Sequence, residues 1–346
     1  HFMMASEPLF YPALATIALG NGLFLPSLPS QINDLYRPDD PRRGWAYNVY
    51  YVGINVGGFM APLVCGTLGE LYGWHWGFGA AGVGMLAGLL VYVRGGKYLP
   101  EQGPVERKQV RAAPIRSGRE TVMLLLGVGL AVTIFRGAYE QIGNTVALFA
   151  DAGIDRTTSL MTIPMTWFQS LNPLLVFLIT PALLAHWRRR AKVGRESSTM
   201  QKMAGGALIV AGSYLLLALA SGLAGGERAS WIWLVAYFVV FTFGELHILP
   251  IGLGLFARLA PPSLGATTVA AWFLAIFTGS LTAGFVGTLW SRFSHPVYFV
   301  ILAAIAASAA VLLFALDPKA RRVEAMRTTD GAAPDASGLS KQIQAV

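Results

Sequence analysis

An arginine and a glutamate, Arg136 and Glu140, lie four positions apart inside a long apolar segment. Between Thr121 and Ala150 the chain has no other charged residue. Residues four apart share one face of a helix, so the two side chains can form an ion pair, and Asn144 would continue the same polar stripe. At 1.5 Å per residue, Arg136 would lie roughly 22–24 Å from Glu120 and Asp151, the charged residues at the two ends, beyond the reach of its side chain. We therefore expect the two charges to be paired or to face a water-filled cavity.

Three further polar residues, Glu245, Asn172 and Asn55, also interrupt apolar segments. A charged group at this depth is costly if unpaired, so Glu245 should face a cavity, where a carboxylate can pair with an ammonium group. Asn172 directly precedes Pro173, which frees a backbone carbonyl and can kink the helix; a purely structural kink is the alternative. Asn55 lies between the glycines of a GxxxG pair, which permits close helix packing, so a packing interface is the alternative there.

The elements that would hold these residues are membrane-spanning helices. Of all residues, 54% are hydrophobic and only 13% are charged, whereas soluble domains have about 25% charged residues. A bilayer core about 30 Å thick needs roughly 20 apolar residues per helix. We predict nine spans: Leu9–Leu28, Trp45–Leu68, Trp74–Val93, Val122–Phe149, Pro164–Trp187, Met203–Leu223, Trp231–Phe256, Ala266–Leu289 and Val297–Leu316.

Lysine and arginine are distributed unevenly over the loops between these spans. Alternate loops and the carboxy-terminal tail contain most of them, whereas the loops in between contain at most one each. The positive-inside rule places the basic loops and the carboxyl terminus in the cytoplasm. The net charge of +8 therefore reflects topology and lipid contact, and we expect no nucleic-acid partner. The chain has a single cysteine, Cys65, so it cannot form an intrachain disulfide bond.

Several stretches resemble, in order along the chain, the helices of one family of membrane transporters. NVYYVGINVGGFMAPLVCGTLGELYGWHWGFGAAGVGM (48–85) is similar to the signature of the proton-dependent oligopeptide transporter (POT/PTR) family, within the major facilitator superfamily. Shorter stretches are similar to the family's fourth, seventh, eighth, tenth and eleventh helices: LGNGLFLPS (19–27), AYEQIGNT (138–145), WFQSLNPL (167–174), GELHILPIGL (244–253) and AAWFLAIFTGSLTAG (270–284).

The resemblance implies an all-α membrane protein with the major facilitator superfamily fold. The chain would comprise helices four to twelve of a twelve-helix core, so we expect it to be amino-terminally truncated. Four regions are implied: the three-span remainder of an amino-terminal bundle (1–93), a cytoplasmic linker (94–121), a carboxy-terminal six-helix bundle (122–316) and a cytoplasmic tail (317–346), which we expect to be disordered. The protein would be a multi-pass protein of the cell inner (plasma) membrane.

The resemblance also implies roles for individual residues. Asn55 and Asn172 would line the central cavity and contact a peptide, and Glu245 would bind the amino terminus of that peptide. Trp272 would close over the substrate, with a bulky packing residue as the alternative. His247, about 200° from Glu245 around a helix, is expected to be structural.

One departure from the family concerns the charged pair. Family members typically have a lysine in the fourth-helix motif that pairs with the seventh-helix glutamate, and here Leu25 occupies that motif position. We hypothesise that Arg136 replaces the lysine, so that Arg136 and Glu140 together perform proton coupling. The family's coupling mechanism would then not carry over unchanged.

We therefore predict a proton-coupled symporter of di- and tripeptides that works by alternating access. Its partners would be small peptides, protons and membrane lipid, with no obligate protein partner, and we expect no cofactor, metal site or catalytic residue. Three alternatives stay open: a truncated, non-transporting membrane protein; a carrier of another small solute such as nitrate; and an intramembrane enzyme that uses Glu140 and Glu245 as acid and base.

Overall fold

Apolar segments fold into helices in the computed structural model, which describes residues 1–36, 40, 42–99, 118–195, 197–260 and 265–329. The described residues form two compact units, one within residues 1–99 and the other within 118–329. Helices are expected because, in lipid, each backbone N–H and C=O must find its partner inside its own segment. Apart from one pair of two-residue strands, the described elements are helical, so the predicted all-α class is confirmed.

The first unit contains α1 (Phe10–Leu35), α2 (Arg42–Ala61), α3 (Thr67–Tyr72) and α4 (Trp74–Gly95). Short 3₁₀ turns flank them at Phe2–Ala5, Glu7–Leu9 and Gly96–Tyr98. A π-helical turn, Pro62–Gly66, joins α2 to α3, and Pro62 has no N–H with which to continue the regular ladder. Gly73 turns the chain into α4 with a φ of 107°, which only glycine adopts readily.

The second unit contains α5 (Arg119–Tyr139), α6 (Thr145–Ala152), α7 (Met165–Gln169), α8 (Leu171–Lys192), α9 (Thr199–Leu223), α10 (Trp231–Glu245), α11 (Leu249–Leu259), α12 (Gly265–Gly287) and α13 (His295–Thr329). 3₁₀ turns follow α5 at Glu140–Gly143 and α12 at Thr288–Ser291. Strands β1 (Ile154–Asp155) and β2 (Ala229–Ser230) pair in parallel, with Ile154 opposite Ala229.

Eight helical segments of the described chain are long and apolar enough to cross a membrane. They are Asn48–Tyr72, Trp74–Tyr98, Arg119–Ala152, Met165–Lys192, Thr199–Leu223, Trp231–Leu259, Thr267–Ser291 and His295–Ala325. These segments correspond to the second to ninth predicted spans. The first predicted span, Leu9–Leu28, is helical as part of α1 but is not among the eight. The chain is therefore a multi-pass membrane protein.

The last helix continues farther than the hydropathy indicates. α13 extends to Thr329, so residues 317–329 are helical, and the prediction of a disordered tail is wrong for them. Ser198, the capping residue of α9, donates a hydrogen bond to Asp317, and Arg321 pairs with the same carboxylate at 3.0 Å. The bond from Ser198 links the polar part of α13 to the start of α9, and the pair with Arg321 lies within α13. Residues 330–346 of the predicted tail and 100–117 of the predicted linker lie outside the described residues.

A close crossing of α9 and α10 fixes the end of α10. A Cβ atom built on Gly206 would lie 2.6 Å from the carbonyl oxygen of Gly244, and one built on Gly244 would lie 2.7 Å from that of Gly206. Only glycine permits this backbone contact, as small residues commonly do between membrane helices. Because Glu245 follows Gly244 directly, the crossing also fixes the position of that carboxylate.

Candidate functional site

Three helices of the second unit are interrupted beside polar residues. α5 ends at Tyr139, α8 begins just before Asn172, and α10 ends at Glu245. Two prolines follow, Pro173 in the first turn of α8 and Pro250 in the first turn of α11. Proline has no N–H to donate, so it is tolerated in the first turn of a helix and is common where a helix begins. Discontinuous helices of this kind commonly form binding sites in membrane carriers.

The carboxylate of Glu245 receives hydrogen bonds from both of the other interrupted helices. The Tyr139 hydroxyl donates to Oε1 at 2.6 Å, and the Asn172 amide donates to Oε2 at 2.6 Å. Nδ2 of Asn172 also lies 3.0 Å from Oγ1 of Thr242, which helps to orient the amide. Glu245 and Asn172 are half-buried as whole residues. An ionised carboxylate has about four lone-pair sites, so two bonds leave room for a further donor.

Arg136 and Glu140 form the ion pair that their spacing predicts. The exposed fractions of the two side chains are 13% and 32%, so the pair is largely withdrawn from solvent. Ser280, on the neighbouring helix α12, donates to Oε1 of Glu140 at 3.0 Å and accepts from Nη2 of Arg136 at 3.3 Å. Arg136 passes directly over Gly279, where a built Cβ would lie 3.0 Å from Cγ of the arginine. We call Arg136, Glu140 and Ser280 the charged triad.

Tyr139 lies between the charged triad and Glu245. Its ring centroid is 4.7 Å from the guanidinium carbon of Arg136, and the ring stacks on Phe241 with 5.4 Å between centroids. Its hydroxyl reaches Glu245. Sequence reasoning missed this residue, because a tyrosine in an apolar segment gives no signal that separates a hydrogen-bond donor from an ordinary packing residue.

The predicted polar stripe does not continue to Asn144. The 3₁₀ turn after α5 brings Asn144 next to Gln141, and Nδ2 of Asn144 donates to Oε1 of Gln141 at 3.2 Å. Gln141 is fully buried, and its Nε2 donates to the carbonyl oxygens of Ala283 at 2.8 Å and Gly137 at 3.1 Å. Its Oε1 also accepts from Tyr298 at 3.2 Å. The expected i+8 position of Asn144 is thus wrong, because the helix changes its pitch at Glu140.

Trp272 and His247 make packing contacts. Trp272 is 2% exposed and lies against Phe256, with 5.2 Å between ring centroids. This burial favours the packing alternative that the sequence left open for Trp272. The ring of His247 contacts Trp187 and Phe243, and its Nδ1 lies 2.8 Å from the Phe243 carbonyl oxygen, which fits the structural role expected for it.

Asn55 belongs to the first unit and is half-buried. Its Nδ2 donates to the carbonyl oxygen of Tyr51 at 3.0 Å, one turn earlier in α2. Among the described residues, no atom lies within 4 Å of a Cβ built on Gly53 or Gly57, so this unit gives no sign of the close helix packing considered for the GxxxG pair. The side chain of Leu25 lies outside the described part of the chain.

Comparisons with known proteins point to one family. A family model described as POT family matches residues 4–116 and 116–301. The peptide transporter YePEPT of Yersinia enterocolitica is 30% identical over 347 residues, covering 81% of this chain and 68% of that protein. A di-/tripeptide transporter of Lactococcus lactis subsp. cremoris is 27% identical over 368 residues, covering 88% of this chain and 74% of that protein.

A solved structure agrees with these relatives. The crystal structure of a peptide transporter POT in complex with sulfate matches with a TM-score of 0.83 at 27% identity, covering 93% of this chain and 77% of the other. The predicted family and fold are therefore confirmed. The chain has the major facilitator superfamily fold and belongs to the POT family of proton-dependent oligopeptide transporters.

Proposed function

We propose that this protein carries di- and tripeptides together with protons across the cytoplasmic membrane by alternating access. The Yersinia and Lactococcus relatives are named for the transport of peptides, which supports the same class of substrate here. The distribution of lysine and arginine supports an orientation with the carboxyl terminus in the cytoplasm. We also infer that the chain is a carrier and not an enzyme, so its peptides leave the site intact.

The observation that carries this proposal is the geometry around Glu245. Two donors, Tyr139 and Asn172, hold the carboxylate at the meeting point of three interrupted helices, and its remaining lone pairs can accept from a further donor. A peptide presents an ammonium group at its amino terminus, and a hydrogen bond to a charged group contributes about 1.5–3 kcal/mol. The same carboxylate would repel nitrate, so the site fits a substrate with a cationic end.

The charged triad supports coupling to protons. A carboxylate that takes up a proton loses its ionic attraction to a guanidinium, so protonation of Glu140 competes with its pairing to Arg136. Ser280 bonds both partners and can stay with either of them when the pair separates. The triad can therefore take two arrangements, one ionised and paired and one protonated and released, and a proton-coupled carrier needs two such states.

The substitution Glu245→Gln tests the ammonium site, because it keeps the size of the side chain and removes its charge. Binding of dialanine should weaken about 10- to 100-fold, which corresponds to the contribution of one charge-assisted contact. Binding of N-acetyl-dialanine, which has no ammonium group, should change much less. Calorimetry on the purified protein in lipid nanodiscs measures both affinities.

Glu227→Gln is the matched control, because Glu227 is exposed in the turn after α9. It should bind both peptides as the unsubstituted protein does. Equal losses of dialanine and N-acetyl-dialanine in Glu245→Gln would contradict the ammonium site. In proteoliposomes, peptide accumulation that persists after the pH gradient is collapsed would contradict proton coupling.

A further inference from the structure

Tyr139 makes three different contacts, one with each neighbouring group of the site. Its hydroxyl donates to Oε1 of Glu245 at 2.6 Å. One face of its ring receives the guanidinium of Arg136, whose central carbon is 4.7 Å from the ring centroid. The ring also stacks on Phe241 at 5.4 Å, with 26° between the ring planes, which fixes its orientation. Tyr139 thus contacts both Arg136 and Glu245.

The hydroxyl and the ring of Tyr139 stabilise different groups. A phenol O–H donates to an ionised carboxylate and thereby fixes the position of the oxygen that would receive a peptide ammonium. The face of an aromatic ring attracts a cation, more strongly when water is excluded, so the ring stabilises the guanidinium in the position where it pairs with Glu140. The hydroxyl therefore acts on Glu245, where the peptide ammonium would bind, and the ring acts on Arg136, which pairs with Glu140.

The backbone at Tyr139 links the two sides. Tyr139 is the last residue of α5, and Glu140 begins the 3₁₀ turn. Although they are neighbours, Tyr139 reaches Glu245 on α10, and Glu140 reaches Ser280 on α12. A shift of this turn therefore changes both contacts together.

We propose that Tyr139 is a positioning residue that links proton binding at Glu140 to peptide binding at Glu245. Its hydroxyl orients Glu245 toward the peptide ammonium, and its ring keeps Arg136 in place beside Glu140. This inference rests on the proposed function, and it adds a residue through which the two binding events influence one another.

Two substitutions separate the hydroxyl from the ring. Tyr139→Phe removes only the hydroxyl, so the affinity for dialanine should fall about tenfold, whereas that for N-acetyl-dialanine should stay within about twofold. The dependence of binding on pH should keep its shape, since the ring still holds Arg136. Tyr139→Leu removes both groups, so it should weaken dialanine binding and also flatten the difference in affinity between pH 6 and pH 8 for both peptides.

Tyr237→Phe is the matched control. Tyr237 is buried in the same core and packs against Tyr214, with 5.6 Å between ring centroids, whereas the bonds to Glu245 come from Tyr139 and Asn172. Removing the Tyr237 hydroxyl should therefore leave both affinities and the pH dependence unchanged. A general packing defect would instead affect Tyr139→Phe and Tyr237→Phe alike.

The outcomes distinguish this inference from the proposed function. If Glu245→Gln discriminates between the two peptides and Tyr139→Phe does not, the role of the Tyr139 hydroxyl is refuted while the ammonium site stands. If Tyr139→Leu keeps the pH dependence of the unsubstituted protein, the role of the ring is refuted. If the unsubstituted protein binds neither peptide, the proposed function fails, and the linkage fails with it.

Discussion

Replacing Arg136 by alanine should uncouple peptide movement from the proton gradient. The substitution removes the ion pair of Glu140 and leaves the hydrogen bond from Ser280. Without the guanidinium, the ionised carboxylate loses its main compensation for being withdrawn from water. The paired state that competes with proton uptake then no longer exists, so Glu140 stops alternating between two arrangements.

The solvent exposure of the Arg136–Glu140 ion pair determines how much free energy the substitution Arg136→Ala should cost. Exposed ion pairs contribute about 0.2–1 kcal/mol, whereas removing one partner of a buried pair costs about 3–5 kcal/mol. Exposed fractions of 13% and 32% place this pair between the two limits. Because Ser280 keeps one hydrogen bond to Glu140, we expect about 2 kcal/mol, which corresponds to roughly 30-fold in an equilibrium constant. The factor by which protonation changes peptide affinity should therefore fall by at most about 30-fold in Arg136→Ala.

Two assays on the same proteoliposomes measure the uncoupling. Uptake driven by a pH gradient should fall at least tenfold in Arg136→Ala, whereas exchange of internal for external peptide, which needs no net proton movement, should persist. Arg136→Lys keeps the charge but loses the planar guanidinium that contacts Ser280 and the Tyr139 ring, so it should be intermediate. Equal losses of driven uptake and exchange in Arg136→Ala would refute the role in coupling.

Two further substitutions and one control test the scaffold, all by thermal unfolding in detergent. Gly206→Ala should lower the unfolding temperature by several degrees, because the new Cβ would lie 2.6 Å from the Gly244 carbonyl oxygen. A Cβ built on Gly205 would have no neighbour within 4 Å among the described residues, so Gly205→Ala should be neutral or slightly stabilising. If Gly206→Ala and Gly205→Ala unfolded at the same temperature, the close crossing of α9 and α10 would be contradicted. Gln141→Leu should destabilise the protein by about 1–3 kcal/mol, since the buried carbonyl of Ala283 loses its donor. An unchanged unfolding temperature would show that this hydrogen bond contributes little.

Those parts of the fold that depend on local properties could be predicted from the sequence. Hydropathy over about 20 residues identifies a span because the bilayer sets the length that a helix must cover. A spacing of four residues similarly predicts the contact between Arg136 and Glu140, since the helix is regular up to Tyr139. Asn172 and Glu245 could be singled out because polar side chains inside apolar segments need partners, although their hydrogen bond to one another required the structure.

What could not be predicted depends on contacts between distant segments. The 3₁₀ turn that displaces Asn144 is stabilised by Gln141, whose partners include Ala283 and Tyr298 on other helices. The polar end of α13 resembles a disordered tail by composition, but Ser198 of a different segment bonds to Asp317. A tryptophan such as Trp272 can either contact a substrate or pack in a core, and only its burial in the structure distinguishes these two roles.

The interruption after Tyr139 explains why an apolar helix contains so many polar groups. Consecutive residues in a helix point in directions about 100–120° apart, so a donor at Tyr139 and a carboxylate at Glu140 can reach two different neighbouring helices. A continuous α-helix would satisfy its own backbone but would hold both side chains rigidly, whereas a 3₁₀ turn uses weaker backbone hydrogen bonds and moves more easily. Gln141 compensates for the change of pitch by donating to the Gly137 carbonyl.

A carrier that moves two solutes together must make both sites respond to the same conformational change. Two sites on separate rigid helices would need two coordinated movements. Here the proposed proton site, Glu140, and the residue proposed to orient Glu245, Tyr139, are consecutive in the chain, so a single movement of that turn would alter the contacts of both. Arg136, one turn earlier on the same helix, pairs with Glu140 and lies over the Tyr139 ring, and it therefore follows that movement as well. The arginine and the glutamate are tolerated inside the membrane because each supplies the charge that the other needs, and in the proposed mechanism the pair couples transport to protons because a proton can break it.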